Sequence, residues 1–285
     1  MNRLKPKNHR HSPLIDVVFI LVSLFCVAPL FLIVSASFTD QQSLFKEGYQ
    51  FVPKVFSLDA WKFVLKTPQQ IIKAYGVTIF VTLFGTVCSL LLTSMLAYAS
   101  TRKDFIAHRP ISFLIFFALL FSGGMVPTYI MITRFLHLKD TIWSMILPYI
   151  IMPWHVFLMK GFFADIPTSL IEAAKLDGAS ETRIFFSIIL PISKPALATV
   201  GLFIAFTYWN DWWLSMLYIE NPDLTSLQYY LYRIMNNIQF LTNSAMQSNI
   251  SINMSAIPGE TARMALCLLA AGPMLIIFPF FQKYF

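Results

Sequence analysis

Residues 172–191 read EAAKLDGASETRIFFSIILP. This is the most polar internal run in a chain otherwise made almost wholly of apolar stretches. Just upstream, Ser169 and Glu172 stand in capping-box spacing: the hydroxyl accepts from the backbone N–H three residues on, and the carboxylate reaches back. A short helix then continues through Ala173, Ala174, Lys175 and Leu176, whose alanines present almost no bulk. Gly178 ends it, because a left-handed position after a helix is cheapest for glycine. Ser180 caps a second helix over about 181–190, which Pro191 and Pro195 close. The spacing predicts a helix, a sharp turn and another helix, outside the membrane yet tethered to two spans. Such an element either packs only on its own bundle or docks its small-residue face into a groove on a partner protein.

Composition supplies the bundle. The 285 residues are 57% hydrophobic and 12% charged and include 28 Phe, where soluble domains carry about a quarter charged residues. Hydrocarbon holds no water for backbone groups, so the crossings are helices or a closed barrel. Apolar runs of about 20 residues select helices. The expectation is a single all-α polytopic domain with six transmembrane helices at about 14–35, 71–99, 111–133, 141–163, 196–218 and 261–281. The polar loop 166–195 lies between the fourth and fifth.

Charge orients these spans. Arg3, Lys5, Lys7 and Arg10 precede the first apolar run with no acid among them, and that run is too long for a cleaved signal peptide. Arg102, Lys103 and Arg109 crowd the loop after the second span, another inside signal. Alternation then puts loop 166–195 and both termini in the cytoplasm. Lys46, Lys54, Lys62 and Lys66 in the outer loop 37–70 run against this contrast. The net charge of +7 forms no basic stripe interleaved with aromatics, which argues against nucleic acid. Cys26, Cys88 and Cys267 sit in apolar runs without pairing logic and read as small buried residues, and His9 and His11 read as solvated; no metal framework is present.

Several features remain open from the residues alone. Ser122-Gly123-Gly124 and Pro127 interrupt the third span, either as a kink for close packing or where a cavity opens. Pro148 and Pro153 fall inside the fourth. Leu227, Leu231, Ile234, Met235 and Ile238 recur at helical spacing and suggest an amphipathic helix on the outer surface. Asn249-Ile-Ser251 and Asn253-Met-Ser255 are short, common matches to a glycosylation sequon. Arg263 can snorkel to the outer surface and is given no cargo role. An ion-coupled secondary transporter would need carboxylates at midspan; only Asp211, near a span's end, approaches that.

The pattern Glu-Ala-Ala, three residues, Gly, nine residues, Ile-x-Leu-Pro is met at Glu172, Ala173, Ala174, Gly178, Ile188, Leu190 and Pro191. It resembles the EAA loop of ATP-binding-cassette (ABC) importer permeases. Asp177, Ala179, Phe185, Trp209-Asn210 and GGMVPT at 123–128 look like the sugar-importing branch. Over nearly its whole length the chain resembles the second permease subunit of maltose-type carbohydrate importers, in particular their complex-oligosaccharide and lipoprotein relatives. Such permeases usually carry a further basic tail, whereas this sequence ends at Lys283-Tyr284-Phe285.

The resemblance implies a type I ABC importer permease fold in the lipid of a bacterial cytoplasmic membrane. It implies a homologous second permease as heterodimer partner, two nucleotide-binding ATPase subunits and an extracytoplasmic solute-binding protein. ATP and Mg would be held by the ATPases; this chain has no GxxxxGK[ST] phosphate loop and would be a non-catalytic subunit. Residues 172–174, 177–179, 188, 190 and 191 would couple to the ATPase, with Glu172 making a polar contact and Gly178 shaping the turn. The implied cargo is an oligosaccharide; a polyol, a glycerol phosphate or an acidic oligosaccharide are the alternatives. Tyr208, Trp209, Trp212 and Trp213 either stack on sugar faces, with Asn210 and Asp211 as hydrogen-bonding groups, or form an interfacial aromatic belt.

Overall fold

A computed structural model describes residues 13–247 and 259–282. The basic N-terminal tail with His9 and His11, both sequon matches and Lys283-Tyr284-Phe285 lie outside the described residues. The chain divides into two compact units, residues 1–66 with 237–269 and residues 67–236 with 270–285.

In the first unit, α1 (Pro13–Ser37) is followed by α2 (Gln41–Glu47) and α3 (Asp59–Val64) within the loop expected at 37–70. Asp40 caps α2 by accepting from the backbone N–H groups of Gln42 and Ser43 at 3.0 and 3.1 Å. Phe38 stacks on both Phe56 and Trp61 at 5.7 Å between ring centroids. The Gln41 side-chain oxygen accepts from the backbone N–H and hydroxyl of Thr261, at 3.1 and 2.9 Å, tying this loop to the last long helix.

The second unit is built on α4 (Pro68–Thr101), 34 residues long. Thr78, Thr82, Ser89, Thr93 and Ala97 are buried along it at three- and four-residue spacing, with Gly85 in the same row. Small residues let neighbouring helices approach closely where no hydrophobic effect drives them together. Gly85 shows the consequence. A Cβ placed there would lie 2.7 Å from the ring of Tyr208, which is buried and donates its hydroxyl to the Ile146 carbonyl at 2.9 Å. Gly85→Ala is therefore expected to destabilise the protein by about 1–3 kcal/mol, the range for overpacking a core. A lowered melting temperature of the detergent-purified protein would read it, and an unchanged one would contradict this packing.

Next come α5 (His108–Leu120), α6 (Met125–Ile130), α7 (Trp143–Ile146) and α8 (Pro153–Ala164). The segment between the two spans flanking 166–195 holds α9 (Thr168–Leu176), α10 (Glu181–Ile184) and α11 (Leu190–Ile192). Then α12 (Lys194–Trp209), α13 (Trp213–Tyr218), α14 (Leu227–Gln247) and α15 (Gly259–Gln282) complete the chain. Residues Ile15–Ser37, Pro68–Thr101 and Gly259–Pro279 are each long and apolar enough to cross a bilayer. Three further helix pairs satisfy the same requirement together, each bent at a break: 115° at residues 121–124, 48° at 150–152 and 84° at Ser193. Counting each bent pair as one crossing gives up to six.

The breaks have local causes. Gly124 takes φ +85°, a conformation L side chains rarely adopt, and turns the chain between α5 and α6. Among the described residues, no atom beyond its chain neighbours lies within 4 Å of a Cβ built at Gly124, and Gly123 meets only Pro127, so these glycines form no close-packed kink against those residues. Pro148 sits in a 3₁₀ turn, Leu147–Tyr149, and Pro153 opens α8; each lacks the N–H that would continue the ladder.

The stretch expected as one span over 196–218 is two helices, interrupted at residues 210–212. Leu227, Leu231 and Ile238 form the buried face of α14, while Met235 is exposed. Cys26 and Cys267 are exposed and Cys88 half-buried, a correction to the expectation of three buried thiols. Apolar sequence context in a membrane chain includes its outer faces, so it does not imply burial.

Candidate functional site

Loop 166–195 is an ordered helix–turn–helix. The expected capping box is absent: α9 begins after the extended Pro167, so Ser169 lies inside the first turn and no side chain caps the N-terminus. The other end is as expected. Gly178 has φ +77°, and the Ala179 N–H donates to the Ala174 carbonyl while the Gly178 N–H donates to that of Lys175, both at 3.0 Å. These two bonds are the Schellman closure, which needs a left-handed residue at this position. Ser180 accepts from the Arg183 N–H at 3.4 Å and so starts α10. The helix does not stop at Pro191. It widens into a π turn over Phe185–Ile189, accommodating the missing proline N–H, and runs to Ile192 before the bend at Ser193.

The motif residues divide into two sets. Ile171 and Ala174 are buried, and Ala179, Ile188 and Leu190 are half-buried against the same apolar core as Ile184, Phe185 and Ile189. Glu172, Ala173, Leu176 and Asp177 face outward, as does Gly178, and Pro191 is exposed on α11. Leu176, about one helical turn after Glu172, is 90% exposed. An apolar knob with adjacent charge on an anchored short helix is a surface suited to insertion into a partner's cleft.

An ion network fixes this helix. The Asp104 carboxylate receives Lys175 at 2.5 Å and Arg102 at 2.7 Å; Lys175 also reaches Glu181 at 2.7 Å. Glu181 lies 3.5 Å from Arg102 and accepts from the Tyr98 hydroxyl at 2.7 Å. The end of α4, the loop after it, the last turn of α9 and the first turn of α10 are thereby joined. A cavity of about 500 Å³ lies at this junction, bounded by Met95, Tyr98, Lys175, Phe185 and Phe186 among others. The Lys175 hydrogen bond, ahead of that from Arg102, holds the Asp104 carboxyl down at about 2, and Lys175 is raised first by Asp104 and then by Glu181. Sequence reading missed this network. Arg102 and Lys103 served only as orientation signals, and Tyr98 and Asp104 carried none; no pattern in one chain couples positions 71 residues apart.

The candidate path residues are less convergent. Trp209 is buried, and its indole N–H donates to the Ala270 carbonyl at 3.0 Å. Asn210 is exposed, with its amide donating to the Phe206 carbonyl at 2.9 Å. Asp211 accepts from the Tyr149 hydroxyl at 3.0 Å and from the Leu214 N–H at 3.2 Å, which caps α13. Gly123 and Gly124 are exposed at the turn between α5 and α6, apart from this group in sequence and element. Trp212 stacks on Tyr232 at 4.6 Å and meets Trp213 edge-on. Asp211→Ala is thus expected to remove a helix cap and strand the Tyr149 hydroxyl, lowering stability by about 1–2 kcal/mol. Thermal unfolding of the variant would show it; unchanged stability with reduced cargo binding would instead make Asp211 a cargo ligand.

No family model matches the chain. It is 38% identical over 281 residues to the polygalacturonan/rhamnogalacturonan transport system permease protein YtcP of Bacillus subtilis (strain 168), covering 98% of this chain and 96% of that protein. Protein LplC of the same organism is 34% identical, over 93% of this chain and 88% of its own length. Among solved structures, the chain is similar over 100% of both chains, with a TM-score of 0.78 and 26% identity, to a bacterial ABC transporter involved in the import of the acidic polysaccharide alginate. The all-helical architecture with its bent spans agrees with a membrane permease. The chain belongs to the permease proteins of sugar ABC transport systems.

Proposed function

We propose that this chain is one of two homologous permease subunits of an ATP-driven importer that carries an oligosaccharide into the cytoplasm. Two ATPase subunits, which bind the ATP and Mg, receive the outward face of α9 in surface clefts. An extracytoplasmic solute-binding protein delivers cargo at the other side. The assembly sits in a bacterial cytoplasmic membrane with both termini of this chain in the cytoplasm.

The observation that carries the coupling is the outward set Glu172, Ala173, Leu176 and Asp177 on a helix closed by Gly178 and held by ions on its inner side. Coupling requires that the ATPases bind two positions of this element with different free energy as nucleotide state changes. The carbohydrate cargo is supported by the polygalacturonan/rhamnogalacturonan, arabinooligosaccharide and galactooligosaccharide systems to which related permeases belong.

Liposomes carrying the complete transporter test the reading. ATP inside and binding protein outside should give accumulation of a radiolabelled oligosaccharide, drawn from a panel containing trigalacturonate and maltotriose. Accumulation of glycerol 3-phosphate or a polyol with none of the sugars would favour a non-sugar cargo. Accumulation driven by an ion gradient without ATP would overturn the ATP-coupled mechanism.

A further inference from the structure

A second site candidate lies where α8 and α12 face each other, away from the coupling loop and from the Trp212–Trp213 pair. Trp154, His155, Leu158, Phe203, Phe206 and Thr207 line an open cleft of about 610 Å³. At 1.5 Å per residue, Trp154 lies about 15 Å along α8 from the end flanking the coupling loop, and Phe206 about 18 Å along α12. The hydrocarbon core is about 30 Å thick, so with those helix ends at its boundary the cleft falls near its middle. It also adjoins the break at residues 150–152, and interrupted helices near the midplane are where membrane transporters place their substrate groups.

The side chains are wrong for lipid at that depth. Trp154 is 62% exposed, yet tryptophan favours the interface rather than the midplane. His155 is 4% exposed, lines the cleft, and its Nδ1 is buried with no hydrogen-bond partner. An unpaired polar atom in hydrocarbon is costly and calls for a ligand. Pro153, Trp154 and His155 form the first turn of α8, a 12-residue helix whose N-terminus has no side-chain cap. That turn carries partial positive charge and free N–H groups. Thr207 donates its hydroxyl to the Phe203 carbonyl at 3.0 Å and keeps its oxygen available to accept. Among the described residues, no acidic side chain lines the cleft.

We propose that this cleft holds a uronic acid unit of the cargo in transit. The Trp154 indole lies against the sugar ring, and His155 with the first-turn N–H groups of α8 receives the carboxylate. The assignment rests on the carbohydrate reading above and adds to it a charge class and a location.

The test uses the complete transporter in liposomes with labelled trigalacturonate as probe and maltotriose as the neutral control. Trp154→Ala and His155→Asn are each expected to lower ATP-dependent trigalacturonate uptake by about tenfold, the factor for losing one good contact. Trp154→Phe should keep most of it. Recovery of the intact complex on gel filtration should stay within about twofold of wild type for all three. Unchanged uptake in both Trp154→Ala and His155→Asn overturns the assignment. Loss of the intact complex in proportion to uptake also overturns it, making the cleft a seam between permease subunits. A wild-type transporter carrying maltotriose but not trigalacturonate overturns the acidic class alone. One carrying neither sugar removes the carbohydrate reading itself.

Discussion

Combining Glu172→Ala with Gly178→Val is expected to abolish ATP-dependent sugar uptake while leaving the amount of this subunit in the membrane near wild type. Gly178 holds φ +77°, where a side chain costs about 1–2 kcal/mol, and valine is branched at Cβ, the worst shape for that position. The strain falls on the Schellman bonds from Ala179 to Ala174 and from Gly178 to Lys175, so the end of α9 opens. Removing Glu172 takes away the charge beside Leu176 on the outward face. Neither residue is in the buried core, which explains why insertion survives. Each single variant should show a partial loss. Undiminished uptake in the double variant would sink the coupling role of this loop.

The second large effect concerns the ions beneath the helix. Lys175→Glu places a third carboxylate against Asp104 and Glu181, which now share one lysine. These groups are about half exposed, so the pair contributes little to global stability. Its role is to fix where the helix stands. Uptake is expected to fall about tenfold, with ATPase activity no longer stimulated by the binding protein. Adding Asp104→Lys, which rebuilds one pair with reversed charges, should recover part of both; no recovery would mean that the pair does not position α9.

A pH series sharpens this. The folded-state Asp104 carboxyl titrates at about 2, below its ordinary 3.8. Its contribution is therefore complete above about 4 and is lost as pH falls towards 2. Between pH 5 and 8 the ratio of wild-type to Asp104→Asn activity should stay constant, and drift in that range would exclude the carboxylate as its source.

What the sequence made legible followed from local rules. The apolar runs gave helices, prolines and paired glycines marked the breaks in the third and fourth spans, and Gly178 and Ser180 marked a turn and a cap that the structure contains. Ser169 misled because capping-box spacing does not say where the helix begins, and Pro167 moved that start upstream. The hydrogen bonds of Trp209 to Ala270 and of Asp211 to Tyr149 could not be read beforehand, because those partners are remote in sequence. The network around Asp104 and the cleft at Trp154 were invisible for the same reason: each is assembled from elements that meet only after folding.

The length of α4 carries a mechanical consequence. At one end Tyr98 and Arg102 grip Glu181 beside α9. At the other, Lys73 pairs with Asp223 at 2.8 Å, Gln70 holds the Pro222 carbonyl and Thr67 meets the Tyr230 hydroxyl at 2.7 Å. An unbroken helix of 34 residues is a rod about 50 Å long and stiff along its axis. A tug on one end arrives at the other as the same displacement, with no intermediate joint to absorb it. At 34 residues α4 ties the two ends of its unit together as one rigid lever, where the bent helix pairs would yield.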